Sequence, residues 1–435
     1  MATTAVLPYE LYTDAPGTLF VKREWEEANA AHPSPFDFGD VPEGWPKKLT
    51  GPRVWDGKDL NTQLAEKYIR VLTSAEIVEI DAAAKSFQKL SLPLSAVEQS
   101  TFPLPQLGPT LRGIAKNLYQ GTGLNLLRGF PIQQYGKEEQ IIIFLGINAW
   151  VADTRLDQGI GRGVSHIKSI NHIDPAQRGK IFVSAQNNDA QMYHSDAGSE
   201  IVGLMALNVP NAGGESTVAS TWQVYNHLAE YRPDILRLLA GKKFRWTANG
   251  IPEDGVRLIH WLNEQVYVNF ATRTFIGYAE APDRDTKYPP LTFEEREALG
   301  GWQWIAEQYC LETALQAGDI EWYVKLRGPE NRYTDIMSRR VNNLHHQHAR
   351  RGYIDDPSNP RHLLRIWSRD SEYAPELPLD IKNKFDAMFK NTPEFYPLDE
   401  IEEDIRRKET GIFTASCKQE TAEERLKTGF SSLKL

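Results

Sequence analysis

The sequence has little cysteine. Its 435 residues hold two, Cys310 and Cys417, against ten histidines. The two thiols lie far apart and form no Cys-x-x-Cys pair. That argues against a zinc ribbon, an iron–sulfur cluster and a disulfide-stapled secreted fold. Any bound metal should take His, Asp and Glu as its ligands. Long apolar runs are missing as well. No stretch approaches about 18 uninterrupted apolar residues, so no transmembrane helix is expected. The first ten residues lack a basic segment followed by an apolar one, so no secretory signal is expected either. Positive charge is in deficit: 49 Lys and Arg face 58 Asp and Glu, a formal net charge of −9. An acidic chain without a long basic run is a poor match to nucleic acid or an anionic membrane. The expected partner is a small-molecule substrate, and a homo-oligomer is compatible with the composition. The expected location is cytoplasmic. The C-terminal Ser431-Ser432-Leu433-Lys434-Leu435 resembles a peroxisomal tripeptide only loosely, because Leu433 is too large at its first position.

What is present is the composition of a folded globular protein: 10% aromatics, with eleven Trp. Residues 1–58 are rich in Pro, Trp and charge. Prolines 33, 35, 42, 46 and 52 break any long regular element, while Trp25, Trp45 and Trp55 are too apolar to stay exposed. This segment reads as an arm wrapped onto the body. Thr73-Ser74-Ala75-Glu76 offers an N-cap before Ile77, Ile80 and Phe87 at helical spacing. Further helices are expected over 105–118 and 137–151, and a strand over 124–130. From about residue 164 short β-branched or aromatic runs alternate with turn residues. They fall at 180–185, 201–208, 216–219, 243–247, 265–270, 319–323, 341–346 and 362–368. Many short strands with turn signals suggest an all-β sandwich or jelly roll. Helical stretches at 222–239 and 293–317 interrupt it. The coarse reading is a β core with an N-terminal helical layer and a helical insertion.

The sharpest cluster of chemistry-bearing residues is Tyr193-His194-Ser195-Asp196. On an extended segment, residues two apart share a face, so His194 and Asp196 can occupy adjacent corners of one metal. A second histidine from a remote strand would complete a face of two His and one carboxylate. Three positions then stay open, as iron(II) oxygenases need. His172-Ile173-Asp174-Pro175 is a weaker second example, since Pro175 argues for a turn. After His194 come the apolar run Gly198-Ser199-Glu200-Ile201-Val202 and the tight turn Gly213-Gly214-Glu215-Ser216. Further on come Asn342-Asn343-Leu344-His345-His346-Gln347-His348-Ala349-Arg350 and Arg361-His362-Leu363-Leu364-Arg365. Arg361 and Arg365 are four apart in an apolar strand and share a face. Such a buried pair of like charges needs anionic partners, and a guanidinium fork suits a carboxylate.

Together and in this order, these motifs resemble the taurine dioxygenase (TauD/TfdA) branch of the iron(II)/2-oxoglutarate-dependent dioxygenases, in its long fungal form. The resemblance covers roughly residues 110–370. It implies a double-stranded β-helix, or jelly-roll, core within 111–375. Residues 1–110 would form the wrapping arm and helices, and 376–435 a helical extension. It also implies that His194, Asp196 and His348 bind iron, and that Ser216 and Arg361 hold the 2-oxoglutarate carboxylate. Arg365 matches the family's second arginine, which in some members reaches the substrate's anionic group. Tyr193 stands next to the metal pair and is a candidate to line the pocket, with a core aromatic as the favoured reading. Glu200 stands one residue late relative to the family's usual Gly-Asp-Ile, which suggests a bulge. His345 and His346 rival His348 as third ligand, and the register of the motif favours His348.

The implied reaction couples decarboxylation of 2-oxoglutarate, giving succinate and carbon dioxide, to oxidation of an unactivated C–H bond. Oxygen is the second cosubstrate. The expected substrate is a small anionic or zwitterionic molecule, an amino acid or related carboxylate of specialised metabolism. A catabolic sulfonate dioxygenase is the runner-up. A non-catalytic cupin-like binding protein and a zinc hydrolase are the contrasting classes.

Overall fold

The computed structural model describes residues 38–62, 65–158, 161–169, 184–195, 200–245, 288–324, 346–356, 358–374 and 393–400, with a few short pieces besides. In chain order the strands are β1 (Ile69–Val71), β2 (Leu124–Arg128), β3 (Thr154–Arg155), β4 (Ser165–Lys168), β5 (Gln191–His194), β6 (Ile201–Asn208) and β7 (Ala212–Gly213). They continue with β8 (Ser216–Ser220), β9 (Ile259–Leu262), β10 (Gln265–Val268), β11 (Leu311–Thr313), β12 (Ile320–Val324), β13 (His346–Arg350), β14 (Tyr353–Ile354) and β15 (His362–Arg369). They end with the short hairpin β16 (Thr414–Ala415) and β17 (Lys418–Gln419), which stands within the stretch expected to be a helical extension.

Two sheets position the site. The larger has seven strands in the order β1-β2-β12-β6-β15-β3, with β4 also pairing β15. The smaller runs β11-β8-β13-β5. Among the described residues neither is closed into a barrel. Alternation sorts the large sheet's side chains into two apolar layers. Leu124, Leu126, Val202, Leu204, Tyr323, Leu363 and Trp367 point inward and join Val218 and Leu311 of the small sheet in one buried cluster. Leu127, Met205, Ile320, Trp322, Leu364 and Ile366 point outward and meet three helices, Ser74–Leu90, Gly108–Gln120 and Lys137–Val151. The small sheet's outer face carries Tyr193, Ala219 and Ala349. These pack against helices Thr221–Tyr231, Pro233–Gly241 and Phe293–Gln308.

The helices follow local rules. Thr73 caps the first, its hydroxyl accepting from Glu76 N at 3.3 Å while Glu76 accepts from Thr73 N at 2.7 Å. The Lys137–Val151 helix is apolar almost all round because sheet, neighbouring helices and loops enclose it. Its Gly146 lies against the Phe102 ring, which an added Cβ would meet at 2.4 Å. Trp322 reaches out of β12 to donate to Asn148 Oδ1 at 3.1 Å.

Several expectations are corrected. The stretch 222–239 is two helices, broken at Arg232 because the following Pro233 disfavours helical backbone before it. The helix expected to reach 317 ends at Gln308, and β11 then pairs with β8. Within the expected strand 180–185, the described end forms a 3-10 turn, Ser184–Gln186. Residues 1–37 of the arm, 376–392 of the extension, and positions 198–199 of the expected bulge lie outside the described residues. Among the described residues no helix is long and apolar enough to cross a membrane.

Candidate active site

β13 lies between β8 and β5 in the small sheet, and its register decides what faces the interior. His348 stands directly across from His194 on β5. On the other side, Arg350 stands across from Ser216 and His348 from Val218. Directly opposed residues share a face, so His194, His348, Arg350 and Ser216 all look toward the large sheet. The two imidazoles approach with Nε2 to Nε2 at 2.9 Å.

Each ring is held through its other nitrogen. His194 Nδ1 lies 2.8 Å from the Met192 carbonyl oxygen. That oxygen can only accept, so Nδ1 carries the proton and Nε2 presents a lone pair. His348 Nδ1 meets the Tyr323 hydroxyl from β12. When that hydroxyl accepts, His348 Nε2 also presents a lone pair. Imidazole–metal bonds of about 2.1 Å at a right angle set two nitrogens about 3 Å apart. The pair therefore fits adjacent positions on a first-row metal. Asp196 and His345 lie outside the described residues. His346 is fully buried and stacks on Trp55 at 5.6 Å, in contact distance of Gly123 rather than of His194.

The cavity beside the pair is lined by Ile167, Leu204, Ser216, Leu363, Arg361 and Arg365, among others. Both arginines are buried, and among the described residues neither reaches a carboxylate at ion-pair distance. Arg361 lies over the Tyr353 ring at 5.4 Å. Burial, with the Arg350 charge nearby, pushes its guanidinium down to about 9. Arg365 donates from Nε to Gln158 Oε1 at 2.9 Å and covers Trp367 at 4.7 Å. The Asp355 carboxylate accepts from Arg361 N at 2.7 Å and acts on the guanidinium only from farther off. Among the described residues, then, two buried cations without an ion-pair partner make a receptor for an anion. Arg350 is used differently: it donates to the Ala185 and Asn187 carbonyls at 2.9 and 2.6 Å, tying that loop to the sheet.

Ser216 donates to Glu321 Oε2 at 2.6 Å. A hydroxyl has one proton, so in this arrangement it offers any other ligand only lone pairs. Tyr193 is the core aromatic of the favoured reading and not a pocket residue: it points to the face opposite His194. It is buried behind the small sheet and donates to Glu307 Oε2 at 3.1 Å. Sequence reasoning did not single out Tyr323, Glu321 or Gln158. Tyr323 and Glu321 sit in a run read as core strand, and Gln158 reaches Arg365 across 207 positions.

The sequence model described as "Taurine catabolism dioxygenase TauD, TfdA family" matches residues 87–322. The "Taurine hydroxylase-like protein SAT17" of Stachybotrys chartarum is 29% identical over 355 residues, 79% of this chain and 86% of its own. "FR-33289 synthase" of Streptomyces rubellomurinus is 24% identical over 336 residues, 74% of this chain and 90% of its own. Among solved structures, asparagine oxygenase in complex with Fe(II), 2S,3S-3-hydroxyasparagine and succinate superposes with a TM-score of 0.51. It has 13% identity and covers 69% of this chain and 93% of its own. The jelly-roll reading of the two sheets follows from this likeness. A match across more than half the chain settles the classification: this protein belongs to the TauD/TfdA family and is an iron(II)- and 2-oxoglutarate-dependent dioxygenase.

Proposed function

We propose that the protein oxidises a C–H bond of a small anionic or zwitterionic molecule, an amino acid or related carboxylate. The observation that carries this is the His194–His348 pair opening on a cavity with two buried arginines that lack carboxylate partners among the described residues. Iron would be held by His194 and His348 through Nε2, with Asp196 as the carboxylate. When bound, iron(II) with 2-oxoglutarate and oxygen supplies the oxidising chemistry, with succinate and carbon dioxide as coproducts.

The chain's own groups bind and orient. The Met192 carbonyl and Tyr323 hydroxyl fix the two imidazoles. Arg361 receives the far carboxylate of 2-oxoglutarate as a buried ion pair. For Ser216 to donate to that carboxylate, its hydroxyl must turn its proton away from Glu321. Arg365, steadied by Gln158, faces the same cavity and is the candidate partner for the substrate's own anionic group. Leu204, Leu363 and Ile167 close the apolar side and keep water from the reacting centre. An amino-acid product in the complex of asparagine oxygenase, which shares the fold, supports this substrate class.

The test is succinate formation. Protein loaded anaerobically with iron(II) and 2-oxoglutarate, then given oxygen and a panel of amino acids, should form succinate in step with one of them. His194→Ala and Asp196→Ala should abolish it, and full activity in both variants would overturn the reading. A sulfonate dioxygenase, the second reading favoured by the taurine hydroxylase-like relative, would form succinate with a sulfonate and release sulfite as well.

A further inference from the structure

A second pair of histidines meets on the other face of the large sheet. In the antiparallel pairing of β4 with β15, His166 stands across from Leu364, and His362 from Lys168. Leu364 belongs to the outward layer against the helices, so His166 and His362 share that outer face as diagonal neighbours. His166 Nδ1 lies 2.8 Å from His362 Nε2. His166 Nε2 lies 2.8 Å from the Pro397 carbonyl oxygen, which can only accept. That contact puts the His166 proton on Nε2 and turns the Nδ1 lone pair toward His362. A carboxylate completes the group: ligand atoms of His166, His362 and Glu400 all lie within 4.8 Å of one another.

The geometry repeats that of the inner pair. There too, two ring nitrogens approach to 2.9 Å while one imidazole is anchored through its other nitrogen on a backbone carbonyl. Anchoring of this kind is what ligating histidines use to fix tautomer and ring orientation. His166 is 2% exposed, which shields one side of the group, while His362 and Glu400 are half-buried and leave a path for entry. Lys168 ion-pairs with Glu400. A carboxylate has two oxygens, so this contact holds Glu400 in place and leaves acceptor capacity for a cation.

We propose that His166, His362 and Glu400 form a second metal site, for a divalent first-row cation with nitrogen and oxygen preference such as zinc(II). The donor set has three protein ligands and no thiolate, which suits zinc(II) or cobalt(II) with water completing the shell. The site joins three segments distant in sequence. It fastens residues 397–400 across β4 and β15, directly behind Arg361, whose neighbour His362 is a ligand. The ion stiffens β15, which carries Arg365 and follows directly on Arg361.

This proposal is independent of the iron site and is tested with that site removed. The full-length His194→Ala/His348→Ala variant, stripped with chelator, should take up one equivalent of cobalt(II) with a visible absorption band. Zinc(II) should displace it. Adding His362→Gln, or separately Glu400→Gln, should weaken that binding by more than about tenfold, with unchanged circular dichroism. If the double variant takes up no cobalt, or if both further variants retain full uptake, the second site does not exist.

Discussion

Arg361 shows most plainly how a single residue serves function against stability. Its guanidinium is buried and pushed down to about 9, mainly by loss of water, with no carboxylate at ion-pair distance among the described residues. A buried unpaired cation destabilises the free protein, and an arriving carboxylate relieves it. Arg361→Met should therefore raise stability in denaturant without cosubstrate, by on the order of 1 kcal/mol. The same variant should raise the KM for 2-oxoglutarate at least about tenfold, since a buried ion pair is lost. Equilibrium unfolding and cosubstrate titration read the two effects separately. Tyr323 acts one step further back, through His348. Tyr323→Phe removes its hydroxyl and should weaken iron or cobalt binding by about 10-fold to 100-fold. Metal titration would show this, and a change in kcat alone would contradict the positioning role.

At the scale of elements, what the sequence shows clearly is what short-range physics decides. The capping box at Thr73, the apolar periodicity of 137–151 and the short apolar runs at 201–208 and 362–368 each lie within a few turns or a few residues. The observed elements match them closely for that reason. Thr73→Ala removes one partner of the box and should cost about 1 kcal/mol of stability, measured by urea unfolding, with kcat unchanged. Short strands such as β4 and β5 are harder to read, because four residues carry little pattern and their pairing comes from β15 and β13. The end of the Phe293–Gln308 helix was likewise invisible locally. It stops where the chain turns to pair with β8. Alternation, applied strictly, already sends Tyr193 to the face opposite His194.

For the molecule as a whole, the two sheets bring acids and bases into places no water reaches. Glu200, at the entry to β6, accepts from Tyr119 at 2.9 Å and pairs with Arg369. Burial nonetheless pushes its carboxyl up to about 7 from an ordinary 4.5. Between these values the folded chain holds a proton that the unfolded chain has released, so stability falls as pH rises through that window. Urea midpoints taken from pH 5 to pH 8 should decline, and Glu200→Gln should flatten the decline. A wild-type profile that rises across the same range would contradict this assignment.

The sequence by itself determined the chemistry available. Two cysteines against ten histidines excluded thiolate sites, and the order of His, Asp, Ser and Arg motifs pointed to the family. Those conclusions need only residue types and spacing along the chain. Only the tertiary structure decided which histidines meet. His194 and His348 lie 154 positions apart, and His166 and His362 lie 196 apart. Their pairing is set by antiparallel register between strands, which a shift of one residue would reverse. The same register stacks His346 on Trp55 and gives Ser216's proton to Glu321. No local pattern encodes these outcomes, because each is fixed by which strand lies beside which.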